Sequence, residues 1–181
     1  IHVTAGITAP TGSVNQRVNG NTEFEHYGMQ LGSGTWNAWP SLSYNGYAGD
    51  WSWGGQISGN VPLESHNDSG YATGTLFQST AWGGYQIQDW VSGSIRALFT
   101  SQSQIAGNYY GNFVPTGPMD MPQSYGGNFL DIGVGLNAHV KSGDFEGNHF
   151  GIEWLQPAYN DYNGYQLERK GSLWASWGLS F

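Results

Sequence analysis

The chain has 181 residues, a formal net charge of −8 and no cysteine. The acidic balance argues against a nucleic-acid partner, which would need a basic surface, and the missing thiols exclude disulfide scaffolds and thiol catalysis. Only 10% of the residues are charged and 15% are aromatic, whereas soluble domains carry about 25% charged residues, so a large lipid-contacting surface is favoured.

Alternation of apolar with small or polar residues, the pattern of a strand with two different faces, recurs along the whole chain. It predicts strands over residues 1–9, 35–47, 51–61, 71–87, 90–103, 130–140, 147–155 and 171–181. Short connections follow the even-numbered strands and long ones follow the odd-numbered strands, as in outer-membrane barrels. The sequence therefore predicts an all-β, antiparallel transmembrane β-barrel. We expect a single domain, residues 1–181, with about eight strands in this chain, or the C-terminal part of a larger barrel.

The face opposite the apolar one distinguishes this prediction from a soluble sandwich. It holds mostly Ser, Thr, Asn, Gln and Gly, as in the sixth predicted strand, where Gly133, Gly135 and Asn137 alternate with apolar residues. A soluble carbohydrate-binding β-sandwich would carry charged residues on that face, and it remains an alternative. Pro40 is compatible with the second predicted strand only at an edge or a bulge.

The last predicted strand is strongly two-faced, and its apolar side is expected to contact lipid and to serve as the C-terminal insertion signal. That side consists of Leu173, Ala175, Trp177, Leu179 and Phe181. An exposed apolar terminal strand would promote aggregation in water, whereas a bilayer removes that hazard. The strand resembles the signal that the barrel-insertion machinery recognises. We therefore expect that machinery to be a partner of this protein. Trp174 is the one bulky residue on its other side.

Large aromatic residues near the predicted strand ends are interpreted as an interfacial girdle. They are Trp36, Tyr44, Trp51, Trp53, Tyr85, Trp90 and Trp154. A second group lies in the predicted loops and is a candidate for ligand contact, because loops commonly carry recognition. It comprises Phe24, Tyr27, Tyr109, Tyr110, Phe113, Tyr159 and Tyr162.

The polar and charged residues of the inward face are candidate lumen-lining positions. They are Arg96, Asp131, Asn137, His139, His149 and Glu153. Pairing of the sixth and seventh strands is expected to bring Asp131 near Glu153 and His139 near His149. One interpretation is a lining that selects a permeant. The alternative is a packed interior in which Arg96 pairs with Asp131 or Glu153.

No catalytic residue, metal site or cofactor is predicted. The two neighbouring histidines could hold a metal only with a fixed set of further ligands, which the sequence does not define. No Ser-His-Asp arrangement can be assembled from spacing alone, because a triad is recognised by its geometry. The chain is therefore expected not to be an enzyme.

Four segments together resemble one bacterial outer-membrane family. They are residues 1–13, which open IHVTAGITAP, residues 29–36 (MQLGSGTW), residues 51–56 (WSWGGQ) and residues 165–168 (YQLE). The family is the transporter group named for the phenol-degradation meta-pathway. The resemblance implies an outer-membrane channel or transporter whose members carry further strands before the position of Ile1. It supplies no catalytic residues.

The sequence thus predicts a passive outer-membrane channel or transporter for small, aromatic or apolar molecules, without nucleic-acid partners. Membrane lipids and lipopolysaccharide are the expected partners. Acidic loop residues such as Glu64 and Asp120 are either solvated or available to bridge lipopolysaccharide through divalent ions. The alternative within the same fold is a structural or interaction barrel whose lumen is filled by its own side chains.

Overall fold

The computed structural model describes residues 1–18, 22–111 and 113–180, and the fold over these ranges is all-β. The strands are β1 (His2–Thr8), β2 (Arg17–Val18), β3 (Glu23–Phe24), β4 (Asn37–Ala48), β5 (Trp51–Pro62), β6 (Tyr71–Ala72), β7 (Leu76–Gln88), β8 (Val91–Gln102), β9 (Ala106–Gly107), β10 (Gly127–His139), β11 (Asn148–Tyr162) and β12 (Ser172–Leu179). Short 3-10 turns are the only helical elements in these ranges, and no helix there could span a bilayer.

Eight of the strands form one antiparallel sheet in the order β1-β4-β5-β7-β8-β10-β11-β12. Neighbours in this sheet follow chain order, so each long strand pairs with the next one along the chain. The predicted all-β antiparallel fold with eight main strands is confirmed. Within the described residues β1 and β12 are the two edges of the sheet and do not pair with each other, so closure into a barrel is not observed.

The connections differ in length at the two ends of the sheet. Tight turns join β4 to β5 and β7 to β8, and residues 140–147 join β10 to β11. Residues 9–36, 63–75, 103–126 and 163–171 form the longer connections at the opposite end. These long connections contain the two-stranded ribbons β2–β3 and β6–β9. The predicted alternation of short and long connections is present as far as β10, whereas the last long connection, nine residues, exceeds the β10–β11 connection by only one residue.

Two predicted strand boundaries were wrong. Tyr71 and Ala72 belong to the ribbon strand β6, which pairs with β9, and the sheet strand begins only at Leu76. The seventh predicted strand stops at 155, whereas β11 continues to Tyr162. Pro157 lies in this extension, beside a register shift at Leu130 and Asp131. A proline is tolerated there because the hydrogen-bond ladder is already interrupted.

Pro40 lies at an interruption of the β4–β5 hydrogen-bond ladder, consistent with the expectation that it fits only at an edge or a bulge. It pairs with Ala5 of the edge strand β1. On its other side the β4–β5 ladder is formed at Ala38 and resumes at Ser41, with no pair at the two positions between. The missing amide hydrogen of proline therefore costs no ladder hydrogen bond toward β5.

The two faces of the sheet have opposite chemistry. What we call the apolar face carries a cross-strand row of Ile95, Val134, Trp154 and Leu173, and these side chains are 44–63% exposed. Further members, all with exposed side chains, are Val3, Ile7, Leu42, Ile57, Phe77, Phe99, Leu136, Phe150, Ile152, Trp177 and Leu179. The opposite polar face carries most of the Ser, Thr, Asn, Gln and charged side chains of the strands.

The buried aromatic core lies in the long connections rather than on the sheet. Phe24, Tyr27, Tyr71, Ile105 and Tyr109 form one cluster, each at most 7% exposed. Phe113 and Tyr125 pack against it. These seven residues, called the loop cap below, join three connections that are distant in sequence. The sheet itself therefore leaves its large apolar face without protein cover in the described chain.

Candidate functional site on the polar face

The centre of the polar face is built from glycines flanked by polar side chains. Gly133 pairs with Arg96, and Gly135 pairs with both Ser94 and Glu153. A Cβ on Gly133 would approach Glu153 Oε1 to 3.1 Å and Arg96 Cβ to 3.3 Å. Because β10 contributes no side chain here, residues of β8 and β11 meet above it. The Arg96 Nε donates to Glu153 Oε1 over 2.9 Å.

A shallow groove of about 190 Å³ lies along this glycine floor. Trp174, which pairs directly with Glu153 across β11 and β12, also lines the groove. The groove therefore combines hydrogen-bonding groups with an indole ring. Its polar side chains are Ser94, Arg96, Asn137, Glu153 and Ser176, and Gly135, Gly151, Ile152 and Ala175 complete the lining.

Asp131 has a different partner from the one the sequence suggested. Its carboxylate is only 2% exposed and accepts a 2.6 Å bond from Nη2 of Arg169, in the β11–β12 connection. The Arg169 guanidinium also lies 5.0 Å from the centre of the Phe129 ring. Oδ1 of Asp131 is buried without a hydrogen-bond partner among the described atoms. This ion pair ties the β11–β12 connection to the polar face.

The expected proximity of Asp131 and Glu153 was wrong. His139 lies directly opposite His149, as predicted, and the same antiparallel register places Glu153 opposite Gly135 and Asp131 opposite Pro157. Within this register Glu153 pairs four residues along β10 from Asp131, which is further than the residue or two of register that the prediction allowed. Asn137 lies opposite Gly151, one pair further along the face.

The two histidine rings meet edge to face with centres 6.3 Å apart. No group of three or more His, Asp or Glu side chains in the described ranges is placed to hold a metal ion. His149 Nδ1 lies 3.4 Å from the Gly147 carbonyl oxygen. Both histidines are exposed, and their rings contact each other on the polar face.

All seven residues predicted as an aromatic girdle have exposed side chains, between 41% and 60%. Trp51, Trp53, Tyr85 and Trp90 lie close to the short turns, and Trp36 precedes β4 at the other end. Trp154, predicted near a strand end, instead lies mid-strand because β11 extends to Tyr162. Tyr44 also lies within its strand, opposite Gly55.

The candidate lipid-facing residues of the last strand share the apolar face. Leu173 pairs with Trp154 and Trp177 with Phe150. Leu173, Trp177 and Leu179 are 63%, 69% and 50% exposed. Phe181, the last residue of the predicted signal, lies outside the described residues.

Three of the predicted ligand-contact aromatics were wrong, because their rings stack on one another in the loop cap. Tyr109 lies parallel to Phe24 at 4.3 Å and to Tyr27 at 4.5 Å between ring centres. Burial raises the pKa of the Tyr109 phenol, whose hydroxyl donates to the Glu25 carbonyl over 3.0 Å. Rings already engaged on both faces offer no platform for a ligand.

Two connections of the loop cap are joined by a carboxylate–imidazole contact that the sequence did not indicate. Asp120, 2% exposed, contacts the imidazole of His26. It also accepts bonds from the Thr116 amide at 2.7 Å, the Thr116 hydroxyl at 3.0 Å and the Gly117 amide at 3.0 Å. Burial would raise the Asp120 pKa, but together these hydrogen bonds outweigh it and hold the pKa below its ordinary value.

The Asp120→Asn variant is expected to loosen the loop cap. Because the Asp120 pKa is lower in the folded state, its ionised carboxylate stabilises the fold at pH values above the unfolded pKa of about 3.9. This stabilisation is lost as the pH falls through the folded-state pKa. At neutral pH we expect Asp120→Asn to have a free energy of unfolding about 1–2 kcal/mol below that of the wild type. As the pH falls from 5 to 3, the variant should lose less stability than the wild type does. Near-UV circular dichroism of the tyrosines measures this. Asp68→Asn, an exposed loop carboxylate, is the control, and identical acid profiles for all three proteins would contradict the assignment.

Sequence reasoning missed Arg169, His26 and the partnership of each with a distant carboxylate. These residues lie in connections without periodicity, so no local pattern places them. For the groove on the polar face, the sequence did offer one signal. Trp174 is a bulky residue among small ones on its strand face.

A scan against models of protein families found no match to the chain, and a search of curated proteins found no match either.

Proposed function

We propose that this sheet is part of a bacterial outer-membrane β-barrel that gives small molecules a passive path along its polar face. The observation that carries the proposal is the complete, exposed apolar face opposite a polar one. An apolar surface that extends over the main strands would drive association in water. Hydrocarbon tails would cover such a surface, so the proposed location explains why no protein layer from residues 1–18, 22–111 and 113–180 packs on it.

Strand length supports the same location. The six inner strands of the sheet have 12 to 15 residues. Twelve residues at about 3.4 Å each extend about 40 Å, which becomes about 28 Å at a tilt of about 45°. That length matches the apolar band of outer-membrane barrels, about 25 Å tall.

The two sheet edges set a requirement on the proposal. Unpaired backbone groups at β1 and β12 are not tolerated in hydrocarbon. In the membrane these edges must pair with each other, with strands outside this sequence, or with another chain. The soluble-sandwich alternative lacks its second large sheet in the described residues, where the other strands form only two-stranded ribbons.

The direct test is conductance in planar bilayers. We expect discrete conductance steps from the reconstituted protein, and Arg96→Ala should change the ratio of cation to anion permeability because it removes the positive half of an ion pair on the path. Arg17→Ala is the control, since Arg17 lies in a loop ribbon over the Phe24 ring. Correctly inserted protein without conductance would contradict the channel.

A filled structural barrel is the second candidate, and specific contacts favour it. The Arg96–Glu153 and Arg169–Asp131 pairs occupy the polar face, and the loop cap joins three connections at one end. In that case Arg96→Ala would lower the free energy of unfolding, and bilayers would stay silent. The same pair of measurements therefore separates the two functions.

A further inference from the structure

We propose that the groove beside Trp174 binds one uncharged, polyhydroxylated six-membered ring, the chemistry of a neutral sugar. This inference rests on the proposed function, because it makes the groove a binding point on the polar path. It also replaces the aromatic or apolar permeant expected from the sequence with a hydrophilic class.

The size of the groove limits the ligand to a single ring. Its volume is about 190 Å³, and sites for drug-sized ligands start at about 300 Å³. Gly135 and Gly151 carry no side chain, and polar side chains of neighbouring strands occupy the space above them. A Cβ on Gly151 would approach Ser176 Oγ to 2.6 Å and Asn137 Oδ1 to 2.9 Å. Those two polar side chains therefore stand directly over the floor, within reach of a bound ring.

The polar groups of the groove suit adjacent hydroxyl groups. The internal ion pair uses Nε of Arg96 and Oε1 of Glu153, which leaves the terminal guanidinium nitrogens and Oε2 for a ligand. Guanidinium, carboxylate and carboxamide groups each present two neighbouring hydrogen-bonding atoms in one plane. Two hydroxyl groups on adjacent ring carbons have a spacing that matches such a pair of atoms. Phenol, with one hydroxyl, would leave most of these groups unpaired, which costs binding energy.

The charge of the groove favours an uncharged ligand. Arg96 and Glu153 neutralise each other at 2.9 Å. An anionic or cationic ligand would have to compete with that internal partner. A neutral ring can accept from the guanidinium and donate to the carboxylate while the pair stays intact.

Trp174 supplies the apolar half of the site. Its ring is 62% exposed on the polar face, and its pairing partner across the sheet is Glu153. A tryptophan presents a flat apolar surface with a polar edge. The C–H-rich face of a sugar ring stacks on such a surface while its hydroxyls reach the polar groups beside it.

The test is saturation-transfer NMR with D-glucose and with phenol on the full chain in a sugar-free amine-oxide detergent. We expect glucose binding that weakens about tenfold in Trp174→Ala and at least threefold in Asn137→Ala. Trp177→Ala is the matched control, a tryptophan of the same strand on the apolar face, and it should bind as the wild type does. Circular dichroism checks that each variant is folded.

Several results would overturn the inference. They are absent glucose binding, equal loss in Trp174→Ala and Trp177→Ala, or phenol binding that Trp174→Ala abolishes while glucose does not bind. Binding is measured without transport, so glucose binding by a protein that is silent in bilayers would uphold the groove and reject only the channel. Conductance without glucose binding would uphold the channel and reject the sugar-binding groove.

Discussion

In a phospholipid bilayer, Ile57→Arg is expected to lower the free energy of unfolding by about 2–4 kcal/mol, the cost of a basic residue near the bilayer midplane on a lipid-facing strand. Ile57 lies in the middle of β5, 47% exposed, and pairs with Leu42 on the apolar face. If lipid covers that face, the guanidinium must be carried into hydrocarbon. Denaturant titration of vesicle-inserted protein measures the effect.

The neighbouring residue provides the control for this experiment. Gln56 lies on the polar face, where its amide donates to Ser41 Oγ over 2.8 Å. Gln56→Arg places the same side chain one position along the same strand, and we expect a change of about 0.5 kcal/mol or less. Equal effects of the two substitutions would show that water or protein, rather than lipid, contacts the face of Ile57.

The strands could be predicted because their signal is local. A period of two residues assigns each side chain to a face, so the alternation around Val134 and Leu136 determines both the strand and its orientation. The short turns confine neighbours to antiparallel pairing, and the register of His139 with His149 follows from that. The long extension of β11 could not be predicted, since only its pairing with β10 makes Pro157 part of a strand.

The site is harder to predict than the sheet because its contacts cross long stretches of chain. Arg96 and Glu153 lie on the predicted face, and their pairing was one of two alternatives. Arg169 and His26 are in irregular connections, where residue type gives no position. Whether the edge strands meet also depends on long-range geometry, which alternation does not encode.

The buried carboxylate of Asp131 supports the second large prediction. Arg169→Ala is expected to lower the free energy of unfolding by about 3 kcal/mol, because it leaves a buried charge without its partner. Arg169 bonds to Oδ2 of Asp131, and Oδ1 has no hydrogen-bond partner among the described atoms, so no second donor there replaces the guanidinium. Arg169→Lys should recover only part of the loss, since an ammonium group lacks the planar contact with Phe129.

The adjacent residue is again a matched control, because Lys170 forms an ion pair in the same connection with both partners exposed. Lys170 and Glu168 are 80% and 66% exposed, and exposed pairs contribute about 0–1 kcal/mol. Lys170→Ala should therefore be close to neutral. The double variant Asp131→Asn, Arg169→Ala should be more stable than Arg169→Ala, because it removes the buried charge together with its partner. If the double variant were as unstable as the single one, Arg169 would act through packing on Phe129, and the ion pair would not be what holds the β11–β12 connection to the polar face.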